Sequence, residues 1–240
     1  MTTTNSSTRP VQSSERLFFS GMAIALAVVA FAGFAPSFYL RSDAYAGPPL
    51  TSLVIAHGSL ATSWVLMLVV QTALVAGGQT RIHRKLGWLG AAIAASLVVV
   101  GPIVAIQAIK RGAVPPGLTP QQFFVLPMTD VTLLAGFVIA AILKRNDAQW
   151  HKRLMLLATI GIIDAATARL PGMLQAGPLA FFAIADLFIV AGVAYDLITR
   201  RKVHPAWIWG GLIIVVSQPL RLVLSGTPVW ASFVHLMTGA

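Results

Sequence analysis

The 240-residue chain contains no cysteine. That absence removes disulfides, thiolate-held zinc and iron–sulfur clusters from consideration. Charge is also scarce. Asp, Glu, Lys and Arg together make up 10% of the residues, against about 25% in a typical soluble domain. Acidic groups are the scarcest, with 7 Asp and Glu against 17 Lys and Arg, a net charge of +10. What fills the chain instead is apolar: 57% hydrophobic residues and a mean hydropathy of +0.80. The composition therefore predicts a polytopic membrane protein with the lipid bilayer as its main partner. In a soluble chain the basic excess would suggest nucleic acid. Here it belongs beside apolar spans, where Lys and Arg set topology, and no nucleic-acid partner is expected.

Seven apolar runs are long enough to cross a bilayer, for which about 20 residues suffice. They cover residues 17–40, 50–78, 86–109, 123–143, 153–174, 178–199 and 205–224. The expected fold is all-α, a transmembrane bundle of about seven helices over residues 17–224. Residues 1–16 are polar and Ser/Thr-rich, and are read as a disordered cytoplasmic tail. Residues 225–240 are too short to span and are read as interfacial. The first run exceeds the about 7–15 residues of a signal-peptide core, so the Ala44-Tyr45-Ala46 triplet is not read as a cleavage site. Twelve of the 17 Lys and Arg fall before span 1 or in the turns after spans 2, 4 and 6. The positive-inside rule then predicts the N-terminus in the cytoplasm and the C-terminus outside.

The second span carries His57, Trp64 and Gln71, seven residues apart in turn. At about 100° per residue they share one helix face. A polar stripe on a membrane helix must face protein or water, so this helix is predicted to look into the bundle. Four of the seven acidic residues, Asp130, Asp164, Asp186 and Asp196, also fall inside predicted spans. Such residues cost about 2.5–3.5 kcal/mol each on the insertion scale, so each needs a partner or a role. By depth, His57, Asp130, Asp164, Asp186, Arg169, Gln218 and Arg221 gather in the outer half. Together with Trp64 and Gln71 they are the candidate lining of a polar pocket. Asp196 is expected to pair with Arg200 one turn on, and Arg169 to snorkel.

His83, His151 and His204 each precede a predicted cytoplasmic helix start among Lys and Arg. They are read as interfacial, because clustered positive charge opposes cation binding, and no metal site is expected. Trp88, Trp150, Trp207, Trp209 and Trp230 sit near span ends and are assigned to an aromatic belt.

The pattern H-x6-W-x6-Q-x2-LV-x2-G-x4-HRKLG over residues 57–87, with HKRLMLLATI over 151–160, resembles a family of uncharacterised bacterial multi-span membrane proteins. The resemblance implies a bundle of about seven helices in a bacterial inner membrane and brings no activity with it. Other seven-helix families fit poorly. No lysine lies inside a span to hold retinal, and span 7 has no histidine for the zinc site of ceramidase-like hydrolases. A di-haem cytochrome needs paired intramembrane histidines, and only His57 is deep. The leading expectation is a non-enzymatic membrane protein that binds or passes a small molecule or protons. The rivals are a redox protein holding haem or quinone through His57, and a structural or assembly subunit. No Ser–His–Asp arrangement has diagnostic spacing, although Ser59 and Ser63 lie near His57.

Overall fold

The computed structural model describes residues 8–42 and 47–239, and among these there is no strand. The Ala44-Tyr45-Ala46 triplet and residues 1–7 of the expected disordered tail lie outside the described residues, and residues 8–16 of that tail are helical instead. Helix α1 covers Thr8–Phe34 and continues through one π-helical stretch, Ala35–Tyr39. Then come α2 (Ser52–Ala76), α3 (Thr80–Lys110), α4 (Pro120–Leu143), α5 (Ala148–Ile160), α6 (Asp164–Thr167), α7 (Met173–Ala176), α8 (Pro178–Arg200), α9 (Pro205–Ser225) and α10 (Pro228–Thr238). Among the described residues six helices are long and apolar enough to cross a membrane: α1 with its π stretch, α2, α3, α4, α8 and α9. The chain is a multi-pass helical membrane bundle.

The helix starts have local causes. Pro120, Pro178, Pro205 and Pro228 open their helices, at the position where a missing N–H costs nothing. Thr119 and Gln122 cap each other reciprocally ahead of α4, at 3.0 and 3.2 Å. Asp147 accepts from the backbone N–H groups of Gln149 and Trp150 at 2.9 and 3.2 Å. These bonds, led by that from Trp150, hold its carboxyl below the usual carboxylate range. Pro102 lies inside α3 without ending it.

α5 is the hub. It packs on α1, α4, α8 and α9, and Leu156, Leu157, Ala158 and Ile160 are all buried. Around it, Ile24, Val99, Ile139, Val190, Ile213 and Leu220 point outward and exposed, the apolar surface that lipid requires. α10 lies against α3 and α4 through the buried Val234.

Two expectations need correction here. The run at 153–174 is not one helix: α5 stops at Ile160, three turn residues follow, and only the short α6 and α7 come after. Gly161 stands where the break begins, and a Cβ on it would approach Leu133 Cβ of α4 to 3.2 Å. The next two residues bond only three back, Ile162 to Thr159 and Ile163 to Ile160, both at 3.3 Å, a tightened turn in place of a helical one. The second correction is Trp207. It is 1% exposed, because Gly192 of α8 leaves its ring a seat in which a Cβ would come within 2.4 Å.

Candidate functional site

Broken backbone at membrane depth is tolerated only where protein covers it or a cavity receives it. Here it is covered, and it carries charge. Asp164 opens α6 directly after the break. Asp130 comes from α4, ten residues into the helix and so about 15 Å from its start. Arg221 comes from the last turns of α9. The Arg221 guanidinium bonds to the Asp164 carboxylate and faces Asp130 Oδ1 at 2.9 Å. It also lies 5.3 Å from the centre of the Phe182 ring. All three side chains are buried. One cation thus stands between two carboxylates. The ion pair to Asp130 lies off hydrogen-bond geometry, and Asp164 Oδ1 and Arg221 Nε are likewise buried without a hydrogen-bond partner in the described structure.

Beside this cluster, Gln218 donates to Asp186 Oδ1 at 2.8 Å, joining α9 to α8. The two polar pairs therefore share α9, with Gln218 and Arg221 three residues apart. Asp130, Asp164 and Arg221 come together as one group, and Asp186 with Gln218 as a second. Arg169 does not join them: it is exposed, bonds to the Ala165 carbonyl and lies over the Phe34 ring at 4.6 Å.

The stripe on α2 divides between two neighbouring helices. Trp64 is buried and donates to Thr159 Oγ1 of α5 at 3.2 Å. Gln71 donates to the His83 carbonyl of α3 at 3.3 Å. His57 faces α3 at Gly101, where a Cβ would lie 3.8 Å from its Cε1, and its Nδ1 is buried without a partner. All three therefore turn inward toward α3 or α5, but they do not meet the carboxylate cluster as one lining.

A second ionic assembly escaped the sequence reading. Arg153 of α5 is 0% exposed and grips the Asp196 carboxylate of α8 with two nitrogens, Nε at 3.1 Å and Nη2. Its Nη1 reaches Gln149 Oε1 at 2.7 Å. Asp196 also accepts the His204 N–H at 3.0 Å, which ties it to the start of α9. So the expected Asp196–Arg200 pairing is secondary: Arg200 Nε stands 3.9 Å away, and its Nη2 goes to Glu15 of α1 at 2.7 Å. Lys152 joins Glu15 at 2.5 Å and lies over the Phe19 ring at 4.6 Å. Burial holds the Lys152 ammonium down to about 8, against the opposing pull of Glu15. Burial also lowers His204 from its ordinary value. The clue available in the sequence was the HKR triplet at 151–153, whose last member falls on the apolar face of α5. Its partner lies 43 residues away, beyond any spacing rule.

The fold and these clusters define a polytopic helical membrane protein with two buried ion assemblies. No family model, curated protein or solved structure matches the chain. The resemblance carried by residues 57–87 accordingly gains no named relative.

Proposed function

We propose that the protein binds or passes protons or a small cation at the Asp130–Arg221–Asp164 cluster. The observation that carries this reading is the ratio of charges at the helix break: two buried carboxylates share one guanidinium. With both carboxylates ionised the group holds one surplus negative charge. Buried uncompensated charge is costly, so a proton or a cation is needed beside the guanidinium. Asp164 stands on a short segment set off from α5 by Gly161 to Ile163, which hold no continuous helical ladder. Discontinuous helices near the bilayer midplane are where many transporters hold their coupling ions.

The topology that goes with this function has seven crossings in a bacterial inner membrane, the broken segment α5–α7 being the fifth. The N-terminus is cytoplasmic and the C-terminus outside, in keeping with the distribution of Lys and Arg. No enzymatic step is assigned.

Proteoliposomes with an internal pH dye test the proposal. Under an imposed potential, wild-type protein should dissipate a proton or monovalent-cation gradient faster than empty vesicles. Asp130→Asn and Asp164→Asn should slow it at least tenfold while the protein stays folded. Equal rates in wild type, variants and empty vesicles would reduce the cluster to a fastening between helices. The alternative is a redox protein with a quinone hydrogen-bonded to His57, and it rests on that ring's unpartnered Nδ1. Quinone or haem absorbance co-purifying with wild type and lost in His57→Gln would favour it.

A further inference from the structure

We propose that His83 and His151, with Gln71, form a binding site for one borderline divalent metal ion such as Zn2+, at the end of the bundle where α3 and α5 begin. The site is separate from the carboxylate cluster and does not depend on its reading.

Each histidine is the fourth residue of its helix, and side chains lean back toward the helix start. The two rings therefore meet over neighbouring helix ends, with centroids 6.0 Å apart and planes at 84°. The tautomer of His151 follows from its partner. His151 Nδ1 lies 2.9 Å from the Ala141 carbonyl. A carbonyl only accepts, so Nδ1 carries the hydrogen, and in the neutral ring Nε2 is the nitrogen with the lone pair. His151 thus spends one nitrogen on a backbone carbonyl and leaves the other free. That is the outer-shell arrangement which fixes the tautomer of a metal-bound histidine. His83 Nδ1 is buried without a hydrogen-bond partner.

Gln71 adds a third donor. Its Nε2 bonds to the His83 carbonyl, which leaves Oε1 buried and unpartnered in the same corner. Ring spacing agrees with a shared ion. A metal about 2.0–2.1 Å from each nitrogen places two ring centres roughly 5–6.5 Å apart across tetrahedral to linear angles. Two imidazoles and an amide oxygen, with water completing the shell, suit Zn2+, Ni2+ or Cu2+ better than Mg2+ or Ca2+. Among the described residues no three of His, Cys, Asp and Glu gather, so the amide is an essential third donor.

The surrounding cations do not forbid this. Arg84 and Lys85 are exposed, where salt screens them over about 8 Å. Lys152 is matched by Glu15 at 2.5 Å.

The test is Zn2+ titration of detergent-purified full-length protein by calorimetry. Wild type should bind one equivalent. His83→Gln and His151→Gln should each weaken binding at least tenfold, and His235→Gln, in α10, should leave it unchanged. A second measurement uses unaltered protein with 13C-labelled histidine. At one equivalent of Zn2+, two of the five imidazole signals should shift. No saturable binding by wild type, binding indifferent to both substitutions, or an even shift across the histidines would overturn the site.

Discussion

Arg221 answers to two carboxylates at once, so the three members of its cluster should respond differently to substitution. Arg221→Gln strands both acids in a buried setting and should cost about 3–5 kcal/mol, the usual penalty for removing one side of a buried pair. Asp130→Asn removes the surplus charge and leaves a one-to-one pair with Asp164, so its thermal midpoint should match or exceed that of wild type. Thermal unfolding in detergent checks both. A larger loss for Asp130→Asn than for Arg221→Gln would mean that the cluster is not overcharged. Lys152 gives a pH signature. Its folded value of about 8 lies below the about 10.4 of an unfolded lysine. The folded state therefore releases this proton first, and stability should rise from about pH 8 to about 10.4 through this group, with no slope below pH 8. Lys152→Met should flatten that rise in stability-against-pH curves. A slope that survives unaltered would assign it to another group.

At the scale of elements, the broken segment depends on close approach. A Cβ on Gly33 of α1 would lie 2.1 Å from the Ala166 backbone oxygen of α6. Gly33→Ala should push α6 away and destabilise by about 1–3 kcal/mol. Gly21, in the same helix, has nothing within 4 Å of its Cβ position. Gly21→Ala should be neutral or gain roughly 0.5–1 kcal/mol from helix propensity. Similar midpoints for the two would mean that α1 and α6 do not touch so closely. These elements also mark where the sequence was readable. The starts of α8 and α9 were legible because proline after a polar or turn residue has a local meaning, whereas α4 begins at Pro120, three residues ahead of the expected run. The break was not, because Gly161-Ile162-Ile163 continues an apolar run, and hydropathy does not register a change of hydrogen-bond ladder. Asp130, Asp164 and Arg221 were legible as costly residues needing partners. That Arg169 would stay out, and that Arg153 would be the buried basic partner of Asp196, required the packing of α8 against α5.

For the whole molecule, the basic excess and the apolar runs carry the topology. Reporter fusions at Arg145 and Arg201 should report cytoplasm, and fusions at Pro116 and Thr227 the outside. A periplasmic signal at Arg145 would invert the central helices and remove the orientation. The broken segment also has a consequence for synthesis. Its first half offers Arg153 to Asp196, and its second half offers Asp164 to Arg221, residues 43 and 57 positions later in the chain. While residues 148–176 leave the ribosome, neither counter-charge has yet been made. A segment with unpaired Arg and Asp enters lipid poorly. Nascent chains ending near residue 176 should therefore keep it in the aqueous channel of the insertion machinery. Chains extended past α9 should draw it in, so the innermost helix of the finished bundle is among the last to settle.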